Sequence, residues 1–211
     1  MKGDSVMSEV REFKFARKME DGVAVREGGV EVKAFPEAKY PEYATKQSAG
    51  ADFFCSEDVT IPSIWRGFFK FWEVVKDHIK YVDGAEDTEL TKEEGKVVQK
   101  MFQPTLVHTG IKASMLEDEV LYLYNRSSNP KKLGLVLANG VGVVDADYFE
   151  NPDNDGEIMF AFLNILPWSV KLKAGDKLGQ GVFAKFIRPV EGFTVKNDKR
   201  VGGFGSTDKE K

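Results

Sequence analysis

Residues 118–128 read DEVLYLYNRSS, an apolar run of Val, Leu and Tyr that stops at a polar Asn-Arg-Ser-Ser turn. A run of this length, rich in β-branched and aromatic side chains and bounded by turn residues, reads as a strand. The same texture recurs at residues 30–35, 52–61, 105–113, 133–137, 157–165, 169–172 and 177–186, each flanked by Gly, Pro, Asn or Asp. Many short strands at near-regular spacing favour an antiparallel sandwich, jelly roll or barrel over an alternating α/β fold. The expected class is all-β, in one domain over residues 1–211.

Composition narrows the chemistry. The chain has 211 residues, enough to enclose a core without disulfides or a structural metal. Thirty Lys+Arg against 34 Asp+Glu leave a net charge of −4, so sequence-independent binding to nucleic acid or anionic lipid is not expected. Cys55 is the single cysteine, which excludes an intrachain disulfide and a cysteine-cluster zinc site and fits a reducing, cytoplasmic setting. The two histidines, His78 and His108, exclude an HExxH site. The first residues are mixed in charge and lack the apolar run of a signal peptide, and no stretch reaches the ~18 apolar residues of a membrane span.

One region departs from the strand texture. Residues 63–78, SIWRGFFKFWEVVKDH, place Ile64, Trp65, Phe68, Phe69, Phe71, Trp72, Val74 and Val75 on a broad face at helical spacing, with Ser63 as N-cap. An acidic linker follows, and then Thr91-Lys-Glu-Glu94, a capping-box pattern that predicts a second helix ending before Pro104. A helical excursion over about residues 63–103 thus interrupts the β chain. In the plainer reading its aromatic face packs on the barrel. In the sharper one it meets a protein partner or a membrane surface, since Arg66, Lys70, Lys76 and Lys80 flank the apolar face, diluted by Glu73 and Asp77.

Two glycine-containing runs, residues 140–145 and 203–208, lack the last glycine of a dinucleotide fingerprint, and there is no P-loop. Polar clusters at strand ends carry more. Asn125-Arg-Ser-Ser128 offers a guanidinium and hydroxyls suited to phosphate oxygens. Asn139-Gly140 reads as the turn of a tight hairpin leading to Asp145, Asp147 and Tyr148. Asp145 ends an apolar run, which favours desolvation and a usable base. With Asp153 and Asp155 nearby, a calcium-like or solvated loop is the alternative.

Taken in order, Ala49-Gly-Ala-Asp-Phe53, Asn125-Arg-Ser-Ser128, residues 139–148 with Gly156-Glu-Ile158, Gly175-Asp-Lys-Leu-Gly-Gln-Gly181 and Arg200-Val-Gly-Gly-Phe-Gly-Ser-Thr207 resemble the five ordered motifs of trimeric deoxyuridine triphosphatases, dUTPases. The resemblance runs from about Arg11 to Asp208, with the helical excursion between the first and second motifs. It implies a jelly-roll homotrimer whose active sites draw on three subunits, each closed by a flexible carboxyl-terminal motif at about residues 197–211.

By that resemblance, Asp52 holds waters around a magnesium ion chelated by the dUTP triphosphate, an outer-sphere role. Asp145 activates the water that attacks the α-phosphorus. Arg126, Ser127 and Ser128 contact phosphates, and Gln180 joins them from the fourth motif. Asn139 and the backbone at Gly142 and Val144 read uracil, while Tyr148 packs against the deoxyribose and leaves no room for a 2′-hydroxyl. Phe204 stacks on the base, Gly205 and Ser206 contact nucleotide, and Arg200 reaches the γ-phosphate. Arg200 lies four residues before Phe204 where relatives commonly have five, so Lys199 competes for that role. The chain also inserts FENPDND before Gly156, a loop expected to bulge outward.

A dCTP deaminase, which shares the fold and an Arg-Ser-Ser motif, is disfavoured because the strand IMFAFLN carries no acid. A regulatory protein of the same fold that engages a repressor or another partner through the excursion is the reading from a different class.

Overall fold

Short segments that alternate in polarity each have one face to bury, and pairing them edge to edge satisfies their backbone while the apolar faces meet. The computed structural model describes residues 11–79, 96, 99 and 103–195, with the backbone alone at residues 70 and 73–79. In chain order the elements are β1 (Glu12–Phe15), β2 (Met19–Glu20), β3 (Val23–Ala24), β4 (Arg26–Glu27), β5 (Val30–Glu31), β6 (Glu42–Tyr43), β7 (Ala51–Phe54), β8 (Val59–Ile61) and a helix, α1 (Ile64–Ile79). There follow β9 (Thr105–His108), β10 (Ile111–Ser114), β11 (Glu119–Asn125), β12 (Leu135–Leu137), β13 (Gly142–Asp145), β14 (Met159–Asn164), β15 (Val170–Leu172) and β16 (Lys177–Lys185). A π-helical turn, Asn129–Leu133, precedes β12, and a 3-10 turn, Ala146–Tyr148, follows β13.

Five strands pair in the order β13-β11-β16-β7-β6 and three in the order β12-β14-β9, while β1 pairs with β10 and β15 with β8. All of these pairings are antiparallel. One apolar cluster unites Phe53, Leu121, Leu123 and Val144 of the larger sheet with Val107, Leu135, Phe160 and Phe162 of the smaller. This is the all-β jelly-roll architecture expected. Each buried Phe contributes roughly 1.5–3 kcal/mol through the area it removes from water. Packing between the sheets is close enough that a Cβ on Gly179 would overlap the Phe160 ring, so only glycine fits there.

Two expected strands are split. Residues 52–61 divide into β7 and β8, which belong to different sheets. Residues 105–113 divide at Thr109-Gly110, where Thr109 Oγ1 donates to the Ile158 carbonyl at 2.6 Å and Gly110 N–H donates to Glu157 Oε1 at 2.9 Å. Local pattern could not reveal these breaks, because the partners that enforce them lie far along the chain. The expected strand at 30–35 shortens to the two residues of β5.

The FENPDND segment bulges outward only in part: Glu150, Pro152 and Asp153 are exposed, but the segment is anchored inward at two positions. Asn151 is buried and Asp155 is fully buried, the latter ion-paired with Arg17 and with Lys112 at 2.9 Å. Burial pushes the Asp155 carboxyl up, but hydrogen bonds from Arg17 and Lys112 outweigh it and hold the group below the usual carboxylate range. The two cations occupy both Asp155 oxygens, so they, rather than a calcium-type ligand set, account for this aspartate.

The helix forms where its spacing placed it. Ser63 Oγ accepts from Trp65 N–H at 3.1 Å, the N-cap bond expected, and donates to the Leu166 carbonyl. The aromatic face does not pack down on the barrel, however. Trp65 reaches the Ile165 carbonyl through its indole N–H at 3.0 Å, yet Phe69 is 66% and Trp72 53% exposed. The second helix, predicted from Thr91, lies outside the described residues except for Lys96 and Gln99, which are helical.

His108 Nδ1 lies 3.0 Å from Glu157 Oε2, and Phe35 stacks on its ring with centroids 4.7 Å apart. The hydrogen bond and charge of Glu157 raise the His108 pKa above 6.5, against the opposing pull of burial. A raised folded-state pKa gives stabilisation that is complete below the unfolded value and lost as pH climbs through the folded one. The melting temperature should therefore fall more steeply as pH rises above about 6.5 in the parent protein than in a His108→Gln variant, as measured by thermal denaturation at constant ionic strength.

Candidate active site

Within β7, Asp52 stands between Ala51 and Phe53, both fully buried, and opposes Gln180 of β16 and Glu42 of β6. Its carboxylate is itself buried. Gln180 Nε2 donates to Oδ1 at 2.9 Å and Lys177 Nζ to Oδ2 at 2.6 Å. Burial pushes the Asp52 pKa up, but the two hydrogen bonds and the charges of Lys177 and Arg126 win and hold it below its ordinary value. The group is an anion at neutral pH.

Lys177 was not among the residues expected here, and a bulge explains why. On a regular strand Lys177 and Gln180 would face opposite sides. The register shift between Lys177 and Gly179 sets Lys177 opposite Phe54 while Gln180 stays opposite Asp52, so both cross-strand partners share a face. The only sequence signal was a cation two residues before a glycine within a strand.

The Arg126–Ser128 turn is fastened beside this cluster. β11 and β16 are in register with Asn125 opposite Gly179, so the chain beyond Asn125 emerges next to Gln180. Asn125 Nδ2 donates to the Leu135 carbonyl at 2.9 Å, and Asn129 Nδ2 donates to Asn125 Oδ1 at 2.8 Å and to the Leu178 carbonyl at 2.6 Å. Arg126 Nη1 approaches the Lys177 carbonyl at 3.4 Å. Ser127 is exposed, and Ser128 is half-buried at the start of the π-helical turn. Asp52, Arg126, Lys177 and Gln180, from three separate segments, thus meet at one end of the larger sheet.

The third expected cluster is built differently from the sequence reading. Asn139-Gly140 forms a turn, with Gly140 at φ 69°, but not a hairpin: β12 before it pairs with β14, and β13 after it pairs with β11. The turn hands the chain from one sheet to the other. Asn139 is exposed. β13 is an edge strand that buries Gly142 and Val144 and exposes Val143 and Asp145. Asp145 is therefore not desolvated within one chain, since the same alternation that buries Val144 turns its neighbour outward. Tyr148 is buried in the core cluster, and its hydroxyl donates to the Glu157 carbonyl at 2.9 Å.

Asp145 and the Asp52 cluster lie on the same outward face of the sheet but at opposite ends of it. Asp145 opposes Val120, and Gln180 opposes Tyr124. Four residues along β11 and two strand spacings separate them, about 14 Å by about 10 Å. Between them Tyr122, Tyr124, Val143 and Val182 lie partly or fully exposed. Lys199, Arg200, Phe204, Gly205 and Ser206 lie outside the described residues.

Among the described residues, no three acidic, histidine or cysteine side chains converge on a point that could hold a metal ion. Asp52 is an anion that accepts a hydrogen bond from Lys177 on one oxygen and from Gln180 on the other, and each oxygen keeps lone-pair capacity for bonds from water. That donor set fits magnesium through its water shell, the shell this ion gives up reluctantly.

No protein-family model matches the chain. It is 47% identical over 102 residues to the deoxyuridine 5'-triphosphate nucleotidohydrolase of Lactococcus lactis, covering 48% of this chain and 68% of that one. It is 30% identical over 179 residues to the enzyme of the same name from Desulfitobacterium hafniense, covering 80% of this chain and 87% of the relative. The crystal structure of the dUTPase from Streptococcus mutans superposes with a TM-score of 0.53 at 32% identity, covering 75% of this chain and 96% of that one.

Replacing Lys177 by Met removes the nearest cation from Asp52 while burial remains. The Asp52 titration, followed by carboxyl carbon NMR, should move up in Lys177→Met and stay low in Lys177→Arg.

Proposed function

Because the chain belongs to the dUTPase family, we infer that it hydrolyses dUTP to dUMP and pyrophosphate, with Asp145 as the base and the Asp52 cluster as the phosphate grip. The gathering of Asp52, Arg126, Lys177 and Gln180 at one sheet end carries this reading: an ammonium and an amide bond the two oxygens of one carboxylate, with a guanidinium and two serine hydroxyls adjacent. Such a set neutralises a polyphosphate and leaves a carboxylate to hydrogen-bond to coordinated water.

In this reading Asp145 accepts a proton from water as the water oxygen bonds to the α-phosphorus. The bond from that phosphorus to the α,β-bridging oxygen breaks, and pyrophosphate leaves in line. Arg126, Ser127, Ser128 and Gln180 stabilise the charge that accumulates on the leaving group. Asp52 would hold the water shell of a magnesium ion, which would supply further charge neutralisation. Asn139 and the backbone of Gly142 and Val144 read uracil, and Tyr148 packs on the deoxyribose. Phe204, Gly205, Ser206 and Arg200 or Lys199 close the site from the carboxyl-terminal motif.

The separation of Asp145 from the Asp52 cluster supports a site shared between copies. Side chains stand roughly perpendicular to a sheet, so the two groups stay about as far apart as their backbones. Water activated by Asp145 must lie about 3–3.5 Å from the phosphorus it attacks. A homotrimer that brings the Asp145 of one protomer to the phosphate grip of another resolves this, and the apolar outward face between the two clusters is suited to burial against a second copy.

Pyrophosphate release from a panel of deoxynucleoside triphosphates with magnesium should be confined to dUTP. Asp145→Asn should retain dUTP binding by calorimetry and lower kcat by about 10²–10⁴-fold, the range for a positioned base. An undiminished rate would remove Asp145 from its role.

The exposed aromatic face of α1 favours a second, additional reading, a contact with a protein partner through the helical excursion. Excising residues 64–102 and joining the flanking strands should then leave dUTP hydrolysis intact in a protein that still assembles, as measured by pyrophosphate release and sedimentation. Loss of turnover in the assembled variant would place the excursion in the enzyme itself.

A further inference from the structure

The residues inserted after Tyr148 close back on that tyrosine. Its hydroxyl accepts a hydrogen bond from Asn154 Nδ2 at 2.8 Å while donating to the Glu157 carbonyl, and its own carbonyl accepts from Asn151 Nδ2 at 2.9 Å. Asn154 is in turn fixed: its Oδ1 accepts from Asn151 Nδ2 at 2.8 Å and from the Gly156 N–H at 3.2 Å, and its Nδ2 also faces the Glu157 carbonyl at 3.3 Å. The far end of the segment is anchored in the core. Asp155 receives the Arg17 backbone N–H at 2.7 Å and Lys112 Nζ at 2.9 Å. The return is so tight that a Cβ on Gly156, which sits at φ 79°, would lie 2.6 Å from the Tyr148 carbonyl oxygen.

A loop that only joined two elements would run over the surface and leave its polar groups in water. This one buries an asparagine and a carboxylate, which is tolerable only because the hydrogen bonds above satisfy them. What that arrangement grips is one aromatic side chain. We propose that residues 149–155 form a clamp that fixes the Tyr148 ring and so sets the preference for a 2′-deoxyribose over a ribose, with Asn154 as its positioning residue. The proposal rests on the reading that Tyr148 packs against the sugar. Steric rejection of one added hydroxyl is only as strong as the wall is rigid, because a wall that yields by a fraction of an ångström admits it. Core packing limits translation of the ring, and a hydroxyl held between a donor and an acceptor limits its rocking as well.

The test is the ratio of kcat/KM for dUTP to that for UTP, measured on the intact protein with magnesium. Asn154→Ala should lower the ratio about tenfold, the order of one lost buried hydrogen bond. In a Tyr148→Phe background the same change should lower it no further, because the group it acts through is gone. A parent-like ratio in Asn154→Ala would overturn the clamp. If that variant does not fold, Tyr148→Phe alone decides, since it removes the gripped hydroxyl and leaves the ring: a lowered ratio supports the clamp and a parent-like one overturns it. Tyr148→Leu separates the two ideas, for a parent-like ratio there would overturn the sugar contact itself rather than the clamp.

Discussion

Strand β11 is the constraint on which the rest of the structure depends. Its seven residues pair with β13 on one side and β16 on the other, so one short extended segment sets the register of three of the expected motifs at once. Its side-chain period of two turns Leu121 and Leu123 into the shared core and Tyr122 and Tyr124 outward. A slip of one residue would exchange those faces and move Gln180 away from Asn125 and Arg126. The meeting of Gln180 with Asn125 and Arg126 at one sheet end therefore follows from the burial of two leucines.

Charge is placed with the same economy of position. Asp52 is a buried anion, and it survives there because a bulge in β16 delivers both Lys177 and Gln180 to its oxygens. Asp155 is enclosed more completely and is answered by Arg17 from the amino-terminal segment and Lys112 from β10. Removing one partner of a buried pair leaves an uncompensated charge, typically at a cost of about 3–5 kcal/mol, so such networks tie distant segments together. Here they tie the amino-terminal strands to the loop beside Tyr148, and the first motif to the fourth.

The outward face of the larger sheet and the aromatic face of α1 are different kinds of exposed apolar surface. The first lies on the larger sheet between Asp145 and the Asp52 cluster. The second follows Ser63, on a helix whose described residues take no part in the strand pairing or the core cluster.

Much of this was legible in the chain itself. Apolar alternation between turn residues announced an all-β fold, Ser63 and the aromatic spacing announced α1, and the ordered motifs announced the family, because each of these signals is local and each has a local physical cause. What the sequence could not contain was anything decided by a partner far along the chain. The Asn139-Gly140 turn has hairpin chemistry, yet its flanking strands go to different sheets, because β11 and β14 offer them better pairing than they offer each other. FENPDND looks like a solvated acidic loop, and its last residue, Asp155, turns inward because Arg17 and Lys112 wait there. Lys177 joins Asp52 only through a bulge that alternation does not predict. Residue types and their order determined what chemistry this protein can perform; tertiary pairing decided which of those residues share a face, since register and buried charge are set by contacts that no local window holds.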